Sequence, residues 1–169
     1  MPTELTSGDR GIAVDLDGDG ALFGVVDGLG HGPEAATAAL RAVDVVKGAP
    51  DKRLEVLVQL CHRLLDGTRG VAMTLARIDF GANTLTWTGV GNVAAELVAK
   101  APTGFQIRSS ARLTAGIIGY RIPEVVPAQV HSIRPGDMLV ISTDGIDPDH
   151  LDHIDFAASA VTIADELLA

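Results

Sequence analysis

Cysteine is almost missing from this chain of 169 residues, where Cys61 stands alone. An internal disulfide is therefore excluded. Cys61 falls in an apolar helical pattern, which predicts a buried and inert thiol. Aromatic residues are also scarce, at 4%. The core must be built from Val, Leu, Ile and Ala instead. Basic residues are outnumbered, 13 Lys and Arg against 22 Asp and Glu, for a net charge of −9. That balance excludes nucleic acid and anionic membrane as natural partners. No apolar run approaches the length of a membrane span. Residues 1–10 are polar, so no signal peptide is visible. A cytoplasmic, monomeric protein with one domain over 1–169 is expected.

What is present is apolar surface and glycine beside carboxylates. Hydrophobic residues make up 47% of the chain, enough for a substantial core. In Leu22-Phe23-Gly24-Val25-Val26-Asp27-Gly28-Leu29-Gly30-His31-Gly32, an apolar strand runs into a carboxylate, three alternating glycines and a helix start at Pro33. A carboxylate at the end of a buried strand is costly unless a positive partner sits against it. Flanking glycines let backbone carbonyls and amides come close to that partner. A hard divalent cation favours such an oxygen-rich, unhindered setting. A plain strand-to-helix turn capped by Asp27 is the competing reading. The second stretch, Pro135 to Gly145, repeats the plan, with Met138 to Ser142 apolar and Thr143-Asp144-Gly145 at its end. Gly8-Asp9 precedes the first strand. Three carboxylates beside glycine can meet in an antiparallel sheet, and that favours the metal reading.

The element order follows from periodicity. Strands are predicted over 10–16 and 21–27, joined at Asp17-Gly18-Asp19-Gly20. Asp15, Asp17, Asp19 and Gly20 also imitate the start of a calcium-binding EF-hand loop, and a calcium-stabilised structural domain would rest on them. Val26 stands where a bidentate Glu is needed, and strands flank the loop, so a solvated hairpin tip is preferred. Helices are predicted over 33–47 and 51–65. Strands follow at 70–79, 84–90, 93–100, 126–133 and 137–143, with 70–79 apolar on both faces and therefore central. Residues 111–120 read as a loop, and 146–169 as mostly helical, with Val161, Ala164, Leu167 and Leu168 on the apolar side. Segregated antiparallel strands and helices make the class α+β.

Four segments, taken together, resemble a known family: Ser7-Gly8-Asp9, Val26 to Gly32, Gly89-Val90-Gly91-Asn92-Val93, and Gly136-Asp137 through Thr143-Asp144-Gly145. The chain is similar to the metal-dependent PPM (PP2C-type) serine/threonine phosphatases, in their SpoIIE-like branch. Arg69-Gly70-Val71-Ala72-Met73-Thr74 adds a likeness to the small RsbX-type phosphatases of the stressosome pathway. The resemblance implies an α-β-β-α sandwich of two antiparallel sheets flanked by helices, lacking the usual first and last strands. It also implies a site for two Mn²⁺ or Mg²⁺ ions. Asp27 would bridge the ions, the Gly28 carbonyl would bind one, Asp144 the second, and Asp9 would act through metal-bound waters. Asp27 and Asp144 would be the catalytic pair, with a metal-bridging hydroxide attacking phosphoserine or phosphothreonine. The implied partners are phosphorylated stressosome-type STAS-domain proteins.

The chain departs from the family pattern in two places. A last strand with a final metal-binding Asp has no counterpart before Ala169, which makes a weaker second ion the expectation. Asp149, Asp152 and Asp155 are nearby carboxylates that nothing places at the metal. Leu29 stands where many relatives have His, and His31 reads as a solvent residue at the start of the helix or a phosphate contact. Gly91-Asn92 reads as a plain turn or part of a substrate groove. Gly116 and Gly119 read as an ordinary loop or a flap. A non-catalytic, degenerate phosphatase fold that docks the same partners is the alternative function.

Overall fold

The computed structural model describes residues 7–102, 104–144, 154–155 and 157–167. Its strands are β1 (Asp9–Asp15), β2 (Gly20–Gly28), β3 (Val71–Asp79), β4 (Thr84–Val90), β5 (Ala94–Ala101), β6 (Gly104–Ser110), β7 (Gln129–Ser132) and β8 (Met138–Ser142). Its helices are α1 (Pro33–Gly48), α2 (Leu54–Leu64) and α3 (Ala160–Leu167). Two antiparallel sheets form, one ordered β1-β2-β3-β4-β7 and the other β6-β5-β8. The predicted two-sheet α+β arrangement is thus the one observed.

The first hairpin closes as its turn chemistry predicts. Asp17 takes φ 56 and Gly18 φ 83. Asp15 Oδ1 accepts a hydrogen bond from the Gly18 amide at 2.8 Å, an Asx-type turn. Strands flank this loop on both sides, so the hairpin tip, not the EF-hand, is what forms. β3 is the middle strand of the larger sheet, and Val71 to Ala76 are all buried. An unbroken apolar run suits that position, because both faces are covered.

One core layer lies between the helices and the larger sheet. It joins Ala38, Ala39, Ala42 and Val46 of α1 and Leu54, Leu57 and Cys61 of α2 to Leu22, Val26, Met73 and Leu75. The alanine face lets α1 sit close to the sheet. Pro33 opens that helix with its φ already preset. Glu34 in the first turn and Lys47 in the last both complement the helix dipole. Cys61 is fully buried, and burial pushes its thiol up to about 12, so it is inert as predicted. The second layer lies between the sheets, around Ala76, Leu85, Trp87, Ala95 and Leu97. Trp87 donates its indole N–H to Gln129 Oε1 at 3.1 Å and lies 4.9 Å from the His131 ring.

The segment after β6 is an ordinary pinned loop. Val71 and Ile118 exchange both backbone hydrogen bonds at 2.9 Å, and the Gly119 amide donates to His62 Nδ1 at 3.0 Å. The strand predicted over 126–133 shrinks to β7, because Pro127 has no N–H to give a ladder. The C-terminal prediction needs more correction. Residues 154, 155 and 157–159 are not helical, and α3 is only eight residues long. Ser159 caps its start, its hydroxyl accepting from the Thr162 amide at 3.2 Å. In that short helix Ile163 is the buried residue, whereas Val161 is 71% exposed and Ala164 is also outside. The side chains of Leu167 and Leu168, and residues 145–153, lie outside the described residues.

Trp87 is completely buried between the sheets, so its truncation tests this layer. Trp87→Ala should destabilise the chain by about 3–5 kcal/mol in urea unfolding. A loss below roughly 1 kcal/mol would mean that the two sheets are not held by this residue.

Candidate metal centre

The predicted site residues come from three places in the chain: Asp9, Asp27 with Gly28, and Asp144. The β1–β2 register sets Asp9 directly opposite Asp27. Directly opposite residues on antiparallel strands have Cβ atoms roughly 4.5–5.5 Å apart. The β2 and β8 strands, one from each sheet, come into contact. Thr143 and Asp144 follow β8 and enter the same cleft as Asp9 and Asp27. That cleft has a volume of about 570 Å³ and includes Leu29, Gly30, His31 and Asn92 in its wall. Among the described residues no Lys or Arg lines it.

Asp27 registers this crowding. Its carboxyl is pushed from 3.8 up to about 6, first by burial, then by the Asp9 carboxylate as charge and hydrogen-bond partner, and then by Asp144. Asp144 is itself oriented, because Asn92 Nδ2 donates to its Oδ2 at 2.7 Å. Thr143 Oγ1 points toward Asp9 Oδ2 at the long distance of 3.4 Å. Asn92 and Thr143 lay in segments already quoted from the sequence, Asn92 as a turn or part of a groove, but their contacts with Asp144 and Asp9 were not foreseen. Gly91 beside Asn92 was the available signal: its φ is 93, and a Cβ there would lie 2.5 Å from the Ala72 Cβ. His31 is exposed at the start of α1, and it also lines the cleft. Asp155 accepts from the Ala157 amide at 2.9 Å within its own turn. Asp149 and Asp152 lie outside the described residues.

Glycine is required where the backbone carries the site. A Cβ on Gly28 would lie 2.2 Å from the Ala35 carbonyl oxygen, inside contact distance. One on Gly8 would lie 2.9 Å from the Gly28 carbonyl oxygen. Bare Cα atoms therefore let β1, β2 and α1 close together around Gly28.

A divalent cation fits this donor set. All the candidate ligands are oxygens, three of them from carboxylates, which suits Mg²⁺ or Mn²⁺. Among the described residues no three His, Cys, Asp or Glu side chains gather closely enough to hold one ion. Asp27 stands within the electrostatic reach of both Asp9 and Asp144.

A family model for stage II sporulation protein E (SpoIIE) matches residues 17–162. The chain belongs to the SpoIIE family. Solved structures share the fold of this SpoIIE-family chain. One, described as "The bacterial stressosome: a modular system that has been adapted to control secondary messenger signaling", is 31% identical over 99% of this chain and 83% of its own, with a TM-score of 0.81. RsbX in complex with magnesium is 23% identical over 99% of this chain and 81% of its own, also with a TM-score of 0.81. The PP2C phosphatase domain of SpoIIE from Bacillus subtilis is 17% identical, covering 95% of this chain and 52% of that one, with a TM-score of 0.77. No curated protein sequence matches the chain. Among the described residues no helix is long and apolar enough to cross a membrane.

The raised Asp27 value has a definite pH consequence for the metal-free chain. Its folded pKa of about 6 exceeds the ordinary 3.8, so the folded state binds more protons than the unfolded state between those values. The contribution to stability is fully present below 3.8 and is lost as pH rises through about 6. In excess EDTA, the melting temperature should therefore fall across this window. Asp27→Asn should flatten that slope and raise the melting temperature at neutral pH. An unchanged slope in the variant would show that Asp27 is not its source.

Proposed function

We propose that this chain is a Mn²⁺- or Mg²⁺-dependent protein serine/threonine phosphatase. Its substrates would be phosphorylated regulatory proteins, of the STAS-domain kind found in stressosomes. The observation that carries this reading is the convergence of Asp9, Asp27 and Asp144 in one cleft of a SpoIIE-family fold. The likeness to RsbX and to a structure described as the bacterial stressosome supports the choice of partners.

Asp27 would be the shared ligand, with the Gly28 carbonyl on one ion, Asp144 on the other, and Asp9 reaching its ion through water. When bound, such ions lower the pKa of coordinated water and offset the charge of an in-line phosphoryl displacement. The protein's own groups prepare for this. Asp27 must give up its proton to serve as a ligand, so ion binding releases protons and tightens as pH rises through about 6. Asn92 holds the Asp144 carboxylate in one orientation before any ion arrives. The Thr143 hydroxyl lies on the Asp9 side of the cleft. Mutual repulsion of the three carboxylates is relieved by the cations, so loading stabilises the fold as well as arming the site.

A second reading, a non-catalytic docking module, is favoured by the absence of a compact three-ligand cluster among the described residues. Turnover separates the two. A phosphoserine peptide should be hydrolysed with Mn²⁺, and EDTA should abolish the reaction. Asp27→Asn should lose nearly all calorimetric Mn²⁺ binding and lower turnover by at least about a thousandfold. Peptide binding without turnover at any Mn²⁺ or Mg²⁺ concentration would favour the docking module. Asn92→Ala should weaken Mn²⁺ binding about tenfold, the usual effect of removing a group that orients a ligand. Unchanged affinity would remove Asn92 from the site.

A further inference from the structure

A groove of about 460 Å³ runs beside the carboxylate cleft, between α1 and the turn at Gly67–Arg69. Glu34, Thr37, Arg41, Thr68 and Arg69 line it. It holds two arginines on a chain whose net charge is −9, next to a cleft that no Lys or Arg lines among the described residues. Arg69 stands at the junction of the two hollows. The β2–β3 register pairs Gly28 with Val71, and the Leu29 amide continues it by donating to the Gly70 carbonyl at 3.1 Å. One step further, Arg69 lies beside Gly30, which lines the cleft. A Cβ on Gly30 would come within 2.8 Å of Arg69 Nη1, so this guanidinium rests against the cleft rim.

The guanidinium is held from one side only. Arg69 Nε donates to Glu34 Oε2 at 2.5 Å, with side-chain exposures of 48% and 69%. Its Nη groups donate to no other protein group among the described residues. Arg41 is exposed and has no ion-pair partner among the described residues. An exposed pair such as Arg69–Glu34 contributes little, because water screens it. An incoming carboxylate or phosphate, able to take two guanidinium N–H groups at once, can therefore replace or join Glu34 at little cost.

We propose that this groove is a substrate subsite that takes the acidic segment flanking the phosphoresidue of a phosphopeptide. Arg69 meets the phosphoresidue or its immediate neighbour at the cleft rim. Arg41 meets an acidic side chain further along. The proposal rests on the phosphatase reading for the identity of the cleft, but the subsite can be tested without turnover.

Two phosphoserine peptides serve as probes, one with Asp and Glu flanking the phosphoserine and one with Ala at those positions. Anisotropy of the labelled peptides in EDTA at low salt reads binding alone, and kcat and KM with Mn²⁺ read turnover. The acidic peptide should bind at least tenfold more tightly and show a correspondingly lower KM. Arg41→Ala and Arg69→Ala should each erase most of that preference, through KM more than kcat. Glu34→Gln should enlarge it by freeing Arg69. Salt should weaken the preference, since these contacts are solvent-exposed. Hydrolysis with no acidic preference, or a preference surviving both arginine variants, overturns the subsite and leaves the phosphatase reading standing. Arginine-dependent binding without hydrolysis keeps the subsite and removes the phosphatase. Neither binding preference nor hydrolysis removes both.

Discussion

Repulsion among three carboxylates is the constraint on which the functional end of this molecule depends. Asp27 cannot retreat from Asp9, because antiparallel register fixes them opposite each other. Nor can Asp144 swing freely away, since Asn92 holds it. The energy for this comes from the two apolar layers behind the site, in which Leu22, Val26, Met73 and Trp87 are fully buried. A stable sandwich can carry a locally unfavourable cluster of charge at one end. In the proposed function, that cluster is what a divalent cation would neutralise.

Close backbone approach is the second requirement, and glycine meets it. Gly28 sits so near the Ala35 carbonyl that no side chain fits. The same contact joins the end of β2 to the first turn of α1. The ligand strand and the helix beside the second groove are thereby fixed relative to each other. Cleft and groove are thus built on the same two elements, and the Arg69–Glu34 pair lies within the groove.

Much of this was legible beforehand, for local reasons. The apolar run of β3 marked a central strand, and the Asp-Gly pairs marked the candidate ligands. Apolar periodicity marked the helices over 33–47 and 51–65. Other features were not legible. Asn92 read as a turn residue because its partner lies far away in sequence. The phase of α3 was misread because a weak apolar pattern does not say where a two-turn helix starts, and Ser159 decides that. The shortening of β7 follows from a single missing N–H at Pro127.

By itself the sequence determined the element order, the family and the residue types of the site, because these depend on periodicity, backbone freedom and local motifs. Tertiary structure alone decided that Asp9, Asp27 and Asp144 share one cleft, that Asn92 orients the last of them, and that two arginines line a groove beside it. Those facts depend on strand register and on how two sheets meet. Contacts between residues so distant in the chain leave no local pattern to read.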